Sequence, residues 1–221
     1  MADDWTREEP LPGLVIWQPR RGFRYGAEAF WLAGFALEGG VPRTALDLGT
    51  GSGIVAGLLG ANGVAAEGVD VRPEWQVGWA RSRADSGGFP HLRGADIATV
   101  NGAWDVVVSN PPYFPAGTGP ASPDAWKAAA RSEGDRRLAD FVAVATRCAP
   151  RVCLVVPVER EADVLAASTV PPSRIVRVGL RRVLIELLAG PHPPVIETID
   201  ERAAERWYAR VRGVSSSREG A

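Results

Sequence analysis

Short apolar runs recur along the chain, and stretches of helical character separate them. Five runs read as strands: Thr44–Leu48, Ala65–Val71, His91–Ala95, Trp104–Ser109 and Arg151–Pro157. They are mostly apolar rather than strictly alternating, which is the pattern of parallel strands covered on both faces. Helices are predicted over Gly53–Ala61, Pro73–Ser86 and Ala139–Ala149. Pro73 suits the first turn of its helix, where an N–H would have no partner anyway. Strands alternating with helices imply a parallel sheet with right-handed crossovers. A helix over Glu159–Ala167 follows, and then two β-like runs, Arg174–Gly179 and Arg182–Leu188, which predict a closing hairpin. A last amphipathic helix is predicted over Glu201–Val211, with a fraying tail at Gly213–Ala221. The loop Pro111–Pro123 is rich in Gly and Pro and reads as mobile.

The expected fold is therefore α/β, a Rossmann-like doubly wound seven-stranded, mostly parallel sheet closed by an antiparallel hairpin. An N-terminal segment at 1–43 precedes a single domain at 44–212, and 213–221 forms the tail.

Composition narrows the class. With 221 residues, 46% of them hydrophobic, the chain can bury one sizeable core. No apolar stretch is long enough to cross a membrane. The N-terminus is acidic, with no apolar run before Pro10, so a secretory signal is not expected and a soluble cytoplasmic protein is. Cys148 and Cys153 read as reduced core residues. Two thiols without neighbouring histidines are too few for zinc, and His91 and His192 lie far apart, so no metal is expected. The net charge of −1 argues against extensive phosphate contact while leaving room for a local basic patch. That patch would be arginine, since Lys127 is the sole lysine, and arginine suits phosphate forks and base stacking.

Four segments carry candidate chemistry. Asp47-Leu48-Gly49-Thr50-Gly51-Ser52-Gly53 follows a strand and opens a helix. Its glycines let the backbone approach a ligand, and the helix offers free N–H groups there. The spacing is G-x-G-x-G, not the G-x-G-x-x-G of a dinucleotide site. Asp47 would repel a pyrophosphate but suits a ligand with a cationic amino group, such as S-adenosylmethionine. Gly68-Val69-Asp70-Val71 ends the next strand, where Asp70 can accept both ribose hydroxyl protons. In Gly94-Ala95-Asp96-Ile97, Asp96 can accept from an adenine amino group while Ile97 packs on the purine face. The most specific segment is Ser109-Asn110-Pro111-Pro112-Tyr113-Phe114, at the end of the fourth strand. Its prolines stiffen the backbone and remove two donors. The Asn110 side-chain carbonyl and the Pro111 backbone carbonyl then form an acceptor edge for a planar amino group. Tyr113 would stack on the acceptor ring and Phe114 would wall the pocket. A paired base would have to be flipped out to reach such a slot.

With these motifs the chain resembles class I methyltransferases of the Asn-Pro-Pro-Tyr amino-methylating type. Within them it is most similar to bacterial tRNA adenine methyltransferases that modify the purine beside the anticodon of a valine tRNA. The resemblance runs from about Gln18 to Leu188 and includes Gln18-Pro19-Arg20, Gly22-Phe23-Arg24-Tyr25-Gly26-Ala27-Glu28-Ala29 and Ala130-Arg131-Ser132-Glu133. Glu28 stands where that family usually has aspartate. The resemblance implies that the first 43 residues cover the cofactor's methionine end. It implies a cofactor set of Tyr25, Gly26, Asp47, Gly49, Gly51, Gly53, Asp70, Val71, Asp96, Ile97 and Asn110. Asn110, Pro111, Pro112 and Tyr113 form the catalytic set. Tyr113, Phe114, Arg24, Lys127 and Arg131 face the substrate.

The expected activity is methyl transfer from S-adenosylmethionine to the amino nitrogen of adenine in tRNA or another structured RNA. Alternative acceptors of the same chemistry are a protein glutamine amide and a guanine amino group in ribosomal RNA. Protein methylators of this type usually carry an extra N-terminal helical domain, and only about 43 residues precede the first strand here. A nucleotide-dependent oxidoreductase would need G-x-G-x-x-G, which the turn lacks, and a non-catalytic cofactor-binding module would be expected to have lost Asn-Pro-Pro-Tyr.

Overall fold

The computed structural model describes residues 4–22, 24–112 and 136–213. Two strands, β1 (Trp5–Leu11) and β2 (Leu14–Pro19), form an antiparallel hairpin. The Pro12-Gly13 turn joins them, with Gly13 at φ +79°. Helix α1 (Ala27–Glu38) follows. The main sheet is then laid down by β3 (Thr44–Leu48), β4 (Ala65–Asp70), β5 (His91–Gly94), β6 (Val106–Ser109) and β7 (Arg151–Pro157). Between them run α2 (Ile54–Ala61), α3 (Trp75–Asp85) and α4 (Leu138–Cys148). Helix α5 (Glu161–Ala167), strands β8 (Pro172–Val178), β9 (Arg182–Leu188) and β10 (Val195–Ile199), and helix α6 (Glu205–Val211) complete the described chain.

The sheet order is β10-β8-β9-β7-β6-β3-β4-β5. Only β9 runs against its neighbours; every other pairing among these strands is parallel. The α/β doubly wound fold and the closing hairpin stand as expected, with β8 and β9 as that hairpin. The strand count differs: eight strands are described rather than seven, because β10 adds a parallel edge to β8. The first hairpin and α1 are also additions, and α6 starts at Glu205, four residues later than the sequence pattern suggests. Of the expected tail, only Gly213 is among the described residues.

Side chains of each central strand alternate between two cores. Val106, Val108, Cys153 and Val155 enter one, which α1, α2, α6 and the first hairpin share. Val107, Val152, Leu154 and Val156 enter the other, against α4 and α5. Both faces are thus apolar, which is why these strands carry near-continuous Val and Leu. Cys148 and Cys153 are free and buried, and burial pushes the Cys153 thiol up to about 12.

Two arginine contacts orient α1. Arg151, which opens β7, donates from Nη1 to Ala36 O at 2.7 Å near the helix C-terminus. Arg182, paired in register with Pro157 at the far end of β7, bonds Glu28 in the first turn of α1 at 3.1 Å. The N-terminus of α1 therefore lies at the carboxyl ends of the strands. Helix α6 packs across α1 at Gly34, where a Cβ would stand 2.4 Å from Trp207 Cβ and 2.7 Å from its Cα. Gly34→Ala is expected to destabilise the protein by about 1–3 kcal/mol through overpacking, less up to about 1 kcal/mol of helix propensity. Chemical denaturation reads this out; an unchanged midpoint would show that α6 can retreat from α1 without cost.

Candidate active site

Strand order reverses between β3 and β6. From β3 the chain winds outward through β4 and β5, and from β6 it winds the other way through β7. Ligands of doubly wound sheets bind at such a switch point, outside the carboxyl ends of the strands. The glycine turn leaves β3 there, and Asn110-Pro111-Pro112 leaves β6. Ser109 ties the two ends together, its hydroxyl donating to Leu48 O at 2.6 Å.

The turn is built on three left-handed glycines, Gly49, Gly51 and Gly53, with φ of +72°, +55° and +84°. The N–H groups of Gly49 and Thr50 donate to Val69 O at 2.8 and 3.0 Å, anchoring the turn on β4. A Cβ on Gly53 would lie 2.4 Å from Leu92 Cδ1, which would have to turn aside, and the left-handed φ is what calls for glycine. Gly53 caps α2 without a side-chain hydrogen bond.

Asp47 lies beneath the turn and is almost fully buried. It accepts from the Thr50 hydroxyl at 2.6 Å. Burial pushes its carboxyl up to about 7, against the opposing pull of the Thr50 and Ala56 hydrogen bonds, and nearby Asp70 adds to the rise. A buried carboxyl poised near neutrality is a functional-site signature.

Asp70 already holds protein donors. Its Oδ2 accepts from Gly51 N at 2.9 Å, and its Oδ1 accepts from Arg72 N at 3.0 Å and Arg72 Nε at 3.3 Å. A carboxylate offers about four lone-pair sites, so one remains for a ribose hydroxyl while Arg72 stays in place. The reading in which Asp70 accepts both hydroxyls needs Arg72 to give way. Val71, next in the chain, is exposed.

Asp96 is clasped by Arg136, which donates from Nε at 2.9 Å and from Nη2 at 2.7 Å, and it also accepts from Ala98 N. The Arg136 guanidinium, with the Ala98 bond, holds its carboxyl below the usual carboxylate range. Ile97 is buried in the core on the α4 side of the sheet.

At the start of α1, Tyr25 N donates to Gln18 Oε1 at 3.2 Å, and Gly26 caps the helix with no side-chain bond. Since Gln18 Oε1 faces that N–H, its amide nitrogen faces the other way, where Nε2 is buried without a hydrogen-bond partner. Burial and a bond to Glu8 push the Tyr25 hydroxyl well above the usual tyrosine range. Arg24 is exposed and pairs with Glu8 and Thr6. Asn110 and Pro112 are half-buried and Pro111 is buried. Tyr113, Phe114, Lys127 and Arg131, and most of the loop expected to be mobile, lie outside the described residues.

Two tryptophans not singled out from the sequence stand against the turn. Trp79 donates from its indole N–H to Gly51 O at 2.8 Å. The ring of Trp75 lies 3.7 Å from where a Gly51 Cβ would be, with the Arg72 guanidinium over its face. The only sequence signal was their position in the helix that follows Asp70. Among the described residues no helix is long and apolar enough to cross a membrane.

No family model matches the chain. A stretch of 82 residues, 35% of the chain, is 33% identical to the ribosomal RNA small subunit methyltransferase C of Alcanivorax borkumensis, and spans only 25% of that relative's length. Among solved structures, the tRNA (uracil-54, C5)-methyltransferase of Pyrococcus abyssi, in complex with S-adenosyl-L-homocysteine, superposes with a TM-score of 0.62 at 16% identity. That match covers 85% of this chain and 44% of the other. The E. cuniculi Mtq2-Trm112 complex, responsible for methylation of the eRF1 translation termination factor, gives a TM-score of 0.52 at 21% identity, over 76% of this chain and 99% of the matched one.

Proposed function

Because the chain carries the class I methyltransferase fold, we propose that it transfers a methyl group from S-adenosylmethionine to the amino nitrogen of adenine in a structured RNA, with tRNA the preferred substrate. The observation that carries this reading is the placement of Asn110-Pro111-Pro112 on the strand beside the glycine turn, at the switch point of the sheet.

The residues present fit the cofactor. The buried Asp47 carboxyl suits its ammonium, Asp70 offers an acceptor to the ribose, and Asp96, clasped by Arg136, keeps lone pairs for the adenine amino group, whereas Ile97 is turned into the core and not onto a purine face. The first 43 residues would cover the methionine end, where α1 starts without a side-chain cap and Gln18 brings a buried amide donor. When bound, S-adenosylmethionine supplies an electrophilic sulfonium methyl. The protein supplies orientation and charge stabilisation. Asn110 and the Pro111 carbonyl would each accept a hydrogen bond from the target amino group, which draws the nitrogen lone pair out of conjugation, and the one proton lost on methylation passes to solvent. No strong base is required, because the amino proton becomes acidic as nitrogen bonds to carbon. By the resemblance, Tyr113 would stack on the acceptor ring, Phe114 would wall it, and Arg24, Lys127 and Arg131 would meet the nucleic acid.

The RNA acceptor rests on the resemblance around Asn110 and is consistent with the ribosomal RNA methyltransferase that shares the 82-residue stretch. The chain's near-neutral charge favours a second reading, in which the acceptor is a protein glutamine amide. Incubation with labelled cofactor and either total RNA or total protein separates the two. The expected result is label in RNA, recovered after digestion as N6-methyladenosine, with KM rising as salt is added. Label confined to protein would replace the RNA reading by the amide one, and label in neither would overturn both.

A further inference from the structure

We propose that Trp79 is a positioning residue for the cofactor turn, acting through Gly51; this inference rests on the S-adenosylmethionine reading above.

Gly51 is the centre of the turn and has no Cβ to restrict it, so its torsions must be held by its partners. Two bonds do so. Its N–H donates to Asp70 Oδ2 at 2.9 Å, and its carbonyl accepts from the Trp79 indole at 2.8 Å. The N–H belongs to the peptide before Gly51 and the carbonyl to the peptide after it. Together the two anchors set both torsions of the residue. In a trans peptide the C=O and the following N–H point in opposite directions. By fixing the Gly51 carbonyl toward α3, Trp79 turns the Ser52 N–H to the opposite side. A ligand lying on that side of the turn would meet the Ser52 N–H as a backbone donor.

Trp79 can act as a fixed post because α3 is itself pinned along the same face. The N–H of Trp17 donates to Ser82 Oγ at 2.9 Å, and that of Val15 donates to Ser86 Oγ at 2.9 Å. Gly78 lets the hairpin come this close, since a Cβ there would stand 2.8 Å from Trp17 O. Trp79 is 4% exposed, so water does not compete for the indole N–H. The chain of support runs from the N-terminal hairpin, through α3, to the Gly51 peptide, with Trp79, Ser82 and Ser86 on one face of the helix.

The test uses the full chain with Trp79→Phe, and with Trp79 replaced by benzothienylalanine, which keeps the bicyclic shape but has no N–H. Both are expected to weaken S-adenosylmethionine binding by about 3- to 10-fold, the scale of one hydrogen bond. Turnover at saturating cofactor should change by less than about twofold, since the chemical step is not touched. Amide hydrogen exchange in the free proteins should quicken at Gly51–Gly53, while the amides of Val15 and Trp17 keep their protection. Parent-like affinity and exchange in the benzothienyl variant would reduce Trp79 to a core-filling side chain. If the parent chain binds no S-adenosylmethionine, the functional reading falls, and the exchange at the turn alone decides the role of Trp79.

Discussion

Replacing Asn110 with alanine is expected to lower turnover by about 10²-fold or more, the scale of one lost transition-state contact, while the cofactor still binds. Asn110 leaves the end of β6 and is half-buried, held by Pro111 and Pro112 on one side and by the Ser109–Leu48 bond on the other. Truncation removes a carbonyl acceptor without disturbing that backbone, because the Ser109 hydroxyl and the two prolines remain. The loss should therefore appear in kcat and leave calorimetric cofactor affinity near that of the parent. Asn110→Asp is a useful companion, since it keeps an acceptor but adds a charge beside the acceptor ring. A parent-like rate in the alanine variant would remove Asn110 from the chemistry and leave its segment as an ordinary rigid turn.

The second large effect concerns Asp47 and pH. Its carboxyl titrates near 7 in the folded, ligand-free protein, mainly because it is buried, against about 3.9 for an unfolded aspartate. A carboxyl raised in this way favours folding in its neutral form. That contribution is complete below about pH 4 and is lost as the pH rises through 7. Asp47→Asn keeps a neutral side chain at every pH. The variant should match the parent at pH 4 and exceed its stability at pH 8 by about 2–4 kcal/mol. The same substitution should weaken cofactor binding by at least about tenfold, the loss of a partner for a charged group. In the parent, cofactor affinity should climb as the pH passes 7, and binding should release a proton that calorimetry detects in buffers of different ionisation enthalpy. A stability difference that is flat between pH 5 and 8 would show that Asp47 is ionised throughout.

Much of this architecture was legible in the residues, for an identifiable reason. Strands covered on both faces must be apolar along their whole length, so β3, β4, β6 and β7 announce themselves within a residue or two at each end. Elements lacking that constraint were missed. Strand β1 reads Trp-Thr-Arg-Glu-Glu-Pro-Leu, and the charges of a solvent-facing hairpin hide it; the Pro12-Gly13 dipeptide was the available clue. Helix α1 is buried on nearly every side, so its apolar residues show no helical period. Strand β10 is half-exposed and follows two prolines, which read as a loop. At the site, the glycine turn and its acids were visible because they are local in the chain. The clasp of Arg136 on Asp96 and the reach of Trp79 to Gly51 span 40 and 28 residues. No spacing rule links such positions, and only the packing of α3 and α4 on the sheet brings them together.

The segments proposed to hold methyl donor and acceptor leave β3 and β6, which are hydrogen-bonded neighbours from Ala45–Val106 to Asp47–Val108. Adjacent strands lie about 4.8 Å apart, a spacing that backbone hydrogen bonds keep nearly invariant. The two segments thus set out one ladder spacing apart, before their turns add to the distance. A change at the surface can alter which molecule enters, whereas the separation from which both turns set out is written into main-chain geometry, and side chains such as Trp79 then set the turns themselves.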